Sequence, residues 1–148
     1  MSLDKAVEAM VMTPIFKGVD PKRLRLLAFM SESLTYRDGE TLFDQGEEGD
    51  SAFVVIEGEA DVIIDTGEAK ITVATIGAKQ IFGEMAVLAD VPRTAAIVAK
   101  GDLSVLRIER DPFLKLLREF PDVALRVMRF LALRLESTTQ DLVKARNG

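Results

Sequence analysis

The chain contains neither cysteine nor histidine in its 148 residues. Without cysteine there is no disulfide, no thiol nucleophile and no thiolate zinc site. Without histidine the usual general base of neutral pH is missing, as is the commonest nitrogen ligand for a metal. Carboxylates and lysines can still be tuned by burial into acids and bases, so catalysis is constrained, not excluded, and neither a catalytic nor a metal site is expected. No apolar run approaches the roughly 20 residues of a transmembrane helix. The first residues, MSLDKAVEAMVMTPIF, carry Asp4 and Glu8 and lack the apolar stretch of a signal peptide. A soluble cytoplasmic protein with no membrane insertion is the expectation. The net charge of −5 and the lack of a strong basic face disfavour a nucleic-acid partner.

What is present is an ordinary globular composition, 48% apolar and 29% charged, at a length that suits one domain over residues 1–148. Three stretches differ in character. From about residue 3 to 31 the pattern is helical. Ala6, Val7 and Met10 share a face, Pro14 breaks the run, and Pro21 is placed to open a second helix. Lys22, Arg23 and Arg25 read as the solvated face of that helix. From about 34 to 108 short strands alternate with glycine turns. Phe53-Val54-Val55-Ile56 suits a buried strand closed by Glu57-Gly58-Glu59, and Lys70–Ala74 resumes after a turn at Asp65–Glu68. Many short strands at close spacing argue for a sandwich or barrel.

From about 111 to 145 the pattern is helical again. Asp111 is placed to cap a helix with Pro112 at its first position and Phe113, Leu114 and Leu117 on its apolar side. After Pro121 a long helix follows, with Val123, Val127, Leu131 and Leu135 spaced four apart and Leu142 a heptad later. Leu125, Met128 and Phe130 widen its stripe beyond one seam. That breadth is accounted for by core packing, and it also admits a homodimer through the C-terminal helix. The class is α+β.

The informative segment is Ile81–Ala96, IFGEMAVLADVPRTAA. Between strand-like regions it inserts a short helix-forming stretch, then Pro92 and Arg93. Gly83 lets the backbone turn and lets a ligand approach with no Cβ in the way. Glu84 opens the helix, where the N-terminal dipole favours a carboxylate, and the N–H groups of Met85 and Ala86 are free to receive an anion. Arg93 is expected to open the next strand. A carboxylate accepts from a sugar hydroxyl, and a guanidinium fork matches two phosphate oxygens. Taken singly, Glu84 also reads as a helix cap and Arg93 as a structural ion pair, with Glu84 among its candidate partners.

Together these residues resemble the phosphate-binding cassette of cyclic-nucleotide-binding domains, found in kinase regulatory subunits, nucleotide-gated channels and catabolite activator-type regulators. Phe82, Gly83, Glu84, Ala86, Leu88, Pro92, Arg93, Thr94 and Ala95 match its pattern over residues 82–95, while Ala96 stands where many members have threonine. The likeness extends to Leu42–Asp50, Phe53–Gly58 and Gly77. It implies an antiparallel, jelly-roll-like β-roll flanked by N-terminal and C-terminal helices, and no cofactor. It further implies that Gly83 and Glu84 bind the ribose 2′-hydroxyl. Arg93 would bind the cyclic phosphate, aided by backbone N–H groups near Ala86 and Thr94, and Val73 and Ile81 would meet the base. A hydroxyl at Thr94 can favour cyclic GMP in this family, yet bacterial-type members with Ser or Thr there prefer cyclic AMP. The reading taken is cyclic AMP, with cyclic GMP open.

By the same resemblance the protein is a non-catalytic sensor. Its signal would be movement of the helix at Asp111 and of the long helix, with Leu114 and Leu117 as moving contacts and a lid near Leu131–Leu135. The effector protein is not specified. A DNA-binding regulator would need a helix-turn-helix after the long helix, for which the stretch beyond Leu135 is short. An enzyme acting on cyclic nucleotides would have only carboxylates as metal ligands. A regulatory piece of a channel, kinase or transcription regulator fits the same site.

Overall fold

A computed structural model describes residues 3–133. Helix α1, Leu3–Met12, buries Ala6, Val7, Ala9 and Met10. At Pro14 the chain tightens into one 3₁₀ turn, Pro14–Phe16. Helix α2, Pro21–Phe29, begins as its sequence dictates: Asp20 accepts a hydrogen bond from the Lys22 N–H at 2.9 Å, and Pro21 occupies the first turn. The cations of this helix are not simply solvated. Arg23 pairs with Glu119 at 2.8 Å and Arg25 with Asp4 at 2.7 Å.

The strands follow as β1 (Glu32–Tyr36), β2 (Thr41–Phe43), β3 (Ser51–Asp65), β4 (Lys70–Ile76) and β5 (Ile81–Phe82). After helix α3 (Glu84–Ala89) come β6 (Ala96–Glu109), helix α4 (Arg110–Glu119) and helix α5, residues 121–133. All pairings are antiparallel, with β3 against β6 as the spine. Strand β1 lies beside the end of β6 and β2 beside its start, while β5 and β4 pair with the start and end of β3. Flanked by different strands at each end, the spine curls into a β-roll with helices packed on one side.

Two local expectations are corrected. Glu57-Gly58-Glu59 does not close a strand, because β3 runs through it. The register shifts there, from Val55↔Val105 to Glu59↔Lys100, and Gly58 (φ 92°) absorbs the irregularity as a bulge. A Cβ at Gly58 would collide with the Asp102 carbonyl. Helix α4, in turn, opens at Arg110, two residues before the expected first position at Pro112. Glu109 stands at its N-cap without a side-chain cap bond, and Pro112 falls third in the first turn, where no intrahelical N–H bond is lost.

Alternation along the spine feeds two clusters. Ala52, Val54 and Ile56 of β3, with Leu106 and Ile108 of β6, face the helices and pack with Met10, Phe16, Leu24, Leu27, Phe113, Leu116, Val123 and Val127. Phe53, Val55 and Ala60 of β3, with Ile97, Ala99, Leu103 and Val105 of β6, face the roll interior with Phe43 and Phe82. Along α5 the Val123–Val127 seam is buried, Leu131 packs against the helix-side core, and Leu125 and Met128 are exposed. The expectations at Leu135 and Leu142, and the lid stretch past residue 133, lie outside the described residues.

Candidate functional site

The cassette leaves β5 through Gly83, whose φ of 78° is open to glycine and costly for other residues. Its Cβ position is also occupied, since an added carbon would lie 2.7 Å from Arg93 Nη1. Glu84 then opens α3 with its side chain 1% exposed, and Asp90 ends the helix in the left-handed region at φ 53°. Arg93 does not open β6. It sits three residues earlier, in the loop, where its backbone is fastened to the 44–50 segment: Gly46 N–H donates to Arg93 O and Arg93 N–H to Glu47 O, both at 2.8 Å.

From this anchorage the Arg93 side chain turns inward and is 6% exposed. Nη1 donates to Gly83 O at 2.8 Å and Nη2 to Ser51 O at 2.9 Å. The guanidinium carbon lies 4.1 Å above the Phe43 ring and 5.7 Å from that of Phe53. Phe53 and Phe82 stack at 5.1 Å beneath, so the cation rests on an aromatic floor. Its Nε–H is buried and makes no hydrogen bond among the described residues. Burial pulls the guanidinium below its ordinary pKa, and the carboxylates of Asp50, Glu47 and Glu84 counter this while Arg107 adds to it. The group nevertheless stays cationic at any physiological pH. Main-chain carbonyls and a ring face orient the guanidinium without themselves carrying a full charge.

Of the residues singled out in the sequence, Gly83, Glu84, Ala86 and Arg93 are brought together, with Met85 half-buried beside them and Thr94 exposed next to Arg93. Val73 lies on β4 and is 52% exposed. Ile81 is not brought to the site. It belongs to the helix-side cluster, while the next residue, Phe82, faces the roll interior, so strand alternation turns it away from Arg93. Ala96 lines a groove of about 500 Å³ with Val98 and Ile63, which includes none of Gly83, Glu84 and Arg93.

Sequence reasoning missed Gly49, Ser51 and Phe43. Gly49 has no room for a side chain: a Cβ would lie 2.5 Å from Ala86 Cβ and 2.6 Å from Arg93 Nε. Gly46-Glu47-Glu48-Gly49-Asp50 falls within the Leu42–Asp50 likeness, which assigns Gly49 no role at the site. The signal that could have found Gly49 and Ser51 is their adjacency to the buried strand that follows. Arg107 holds Asp50 at 3.0 Å in the same segment. Burial acts to raise the Asp50 carboxyl, but Arg107's charge and hydrogen bond, with one from Ser51, reverse this and hold it below the usual carboxylate range.

Residues 33–120 match the family model for the cyclic nucleotide-binding domain. The chain belongs to that family. Among curated relatives, this cyclic nucleotide-binding domain is 30% identical over 131 residues to the cyclic AMP receptor protein of Thermus thermophilus, covering 88% of the chain and 61% of the relative. It is 32% identical over 111 residues to a cAMP-dependent protein kinase regulatory subunit of Blastocladiella emersonii, covering 74% of the chain and 28% of the relative. The chain thus spans less than two thirds of these relatives. In three dimensions it superposes on the Thermus thermophilus catabolite activator protein with a TM-score of 0.78 at 31% identity, covering 87% of this chain and 61% of that one. The regulatory domain of Toxoplasma gondii PKA with cAMP gives 0.77 at 26% identity, covering 88% and 50%. The relatives are regulators by name. No described helix is long and apolar enough to cross a membrane, and the described residues hold no cluster of three or more metal-ligating side chains.

Proposed function

We propose that this cyclic nucleotide-binding domain is a cytoplasmic, non-catalytic sensor of cyclic AMP whose bound state is signalled through its C-terminal helices. The observation that carries the reading is the buried Arg93 guanidinium, held by the carbonyls of Gly83 and Ser51 on an aromatic floor. In this reading Arg93 takes the cyclic phosphate, with backbone N–H groups near Met85, Ala86 and Thr94 completing the cradle. Glu84, with Gly83, accepts the ribose 2′-hydroxyl, and Val73 offers its exposed apolar surface to the base. Cyclic AMP is favoured over cyclic GMP by the relatives, whose printed names refer to the former. Thr94, exposed beside Arg93, keeps cyclic GMP as the competing ligand. The exposed Leu125 and Met128 on α5 support a homodimer as the form that conveys the signal, to an effector that the site chemistry does not specify.

Calorimetric titration with cyclic AMP, cyclic GMP and 5′-AMP tests this reading. The expected result is saturable binding of cyclic AMP, with 5′-AMP at least about tenfold weaker, because the open monoester lacks the ring geometry that presents sugar and phosphate together. Chromatography should recover the cyclic nucleotide intact. Absence of binding, or equal binding of all three, contradicts it.

A further inference from the structure

The outer face of the roll carries a groove that the binding reading does not use. Its floor is Ile63 of β3 with Ala96 and Val98 of β6, all half-buried. Their neighbours Val62 and Ile97 belong to the inner cluster, so alternation sets this floor on the opposite side of the sheet from Arg93. Asp44 and Gln45 line the groove from the loop after β2, and Asp65 and Lys70 from the β3–β4 turn. The two segments are tied together. Gln45 Oε1 accepts from the Asp65 N–H at 2.8 Å, and Gln45 Nε2 donates to Asp65 O at 3.3 Å. The groove, of about 500 Å³, is thus formed before any ligand arrives, which spares the cost of ordering two loops on binding.

We propose that this groove binds a small organic cation, an ammonium or guanidinium group on a short alkyl body, the chemistry of a diamine or polyamine. Asp44 and Asp65 make no ion pair among the described residues, and Lys70, although it stands opposite Asp65 in the strand register, makes none with either. Asp65 Oδ1 accepts from the Gly67 N–H at 2.9 Å, and a carboxylate has acceptor sites to spare beyond that bond. In the bound form the alkyl body covers Ile63, Ala96 and Val98 while the carboxylates meet the cationic head. A bare metal ion would leave the apolar floor uncovered, and a neutral diol would leave the carboxylates without a counter-charge. Lys70 opposes the ligand as a like charge. The groove shares no residue with the anion site, and the inference does not rest on the sensor reading.

The test is titration of the full chain with putrescine, followed by amide chemical shifts without nucleotide, with magnesium chloride and butanediol as controls. Salt is held at about 0.15 M, where bare charge attraction is screened within about 8 Å. Saturable binding at about 1 mM or tighter is expected, with shifts confined to residues 41–45, 63–70 and 96–98 and with both controls at least about tenfold weaker. Asp44→Asn should weaken putrescine at least about fivefold by removing one carboxylate. Ala96→Ile, which fills the floor and leaves every charge in place, should weaken it at least about tenfold. Lys70→Gln should tighten it about twofold, because a like charge is gone. If Ala96→Ile fails to fold, the opposite signs of Asp44→Asn and Lys70→Gln carry the test. Equal binding of magnesium, shifts spread over carboxylates elsewhere on the roll, or a folded Ala96→Ile that binds like wild type overturns the inference and leaves the sensor reading standing. A protein that binds putrescine here and no cyclic nucleotide would overturn the sensor reading alone.

Discussion

The two faces of the β3–β6 spine differ in what they bury. On the helix side Val54, Ile56, Leu106 and Ile108 meet an apolar surface closed by Phe16, Phe113 and Leu116. On the inner side Phe43, Phe53 and Phe82 form the aromatic floor on which the cationic Arg93 rests. Both cores draw on the same strands, one residue apart, because successive side chains point to opposite faces. One face can therefore be optimised for packing while the other keeps an expensive polar arrangement. A buried guanidinium is tolerable only where acceptors and a ring face replace its water, and the roll interior supplies both. The helix side anchors the frame on which that arrangement depends.

The largest expected effect that separates the two faces is Phe113→Ala. Phe113 is fully buried in the helix-side cluster. Its truncation should cost about 3–5 kcal/mol in urea unfolding, the usual range for a buried phenylalanine. At low temperature, where the variant remains folded, cyclic AMP affinity should shift by no more than about tenfold, the scale of a coupling between α4 and the site. Loss of binding by a folded Phe113→Ala would show that the two cores are not separable.

A smaller effect concerns the rim of the helix side. The Arg23 guanidinium grips Glu119 at 2.8 and 3.2 Å, joining α2 to the end of α4. Its hydrogen bond, with the charges of Arg23 and Lys115, holds the Glu119 carboxyl below its ordinary 4.5 against a weaker opposing pull from burial. A carboxyl depressed in the folded state stabilises fully above its unfolded value and loses that contribution as pH falls through the folded one. The difference in unfolding midpoint between wild type and Arg23→Gln should thus be constant from about pH 5.5 to 7 and shrink below about pH 4.5, by a modest amount for an exposed pair. With no histidine in the chain, no side chain of ordinary pKa is available to distort the upper plateau. A difference that grew on acidification would contradict the pairing.

The helices and most strands were legible in the sequence because each carries a local signal. Asp20-Pro21 starts α2, and Ala6, Val7 and Met10 mark one face of α1. The cassette was legible because its residues are contiguous. What was not legible depends on contacts between distant segments. Glu57-Gly58-Glu59 looks like a turn until β6 is placed opposite, where it becomes a bulge. Ile81 reads as a base contact by the family resemblance, yet alternation sends it to the other face. Gly49 and Ser51 acquire meaning only when Arg93, more than forty positions away in the case of Ser51, lies upon them. Asp111 reads as a cap, yet α4 starts two residues sooner, with Glu109 at its N-cap and the Arg110 N–H donating to Asp50 O.

The central claim is that the inner face holds one buried cation for an anionic ligand. Its most direct test is the dissociation constant of cyclic AMP for Arg93→Ala against wild type, measured where circular dichroism shows both folded. Removing one partner of a buried charge interaction should weaken binding by about 3–5 kcal/mol, roughly two to four orders of magnitude. Equal affinities in the two proteins would contradict the account.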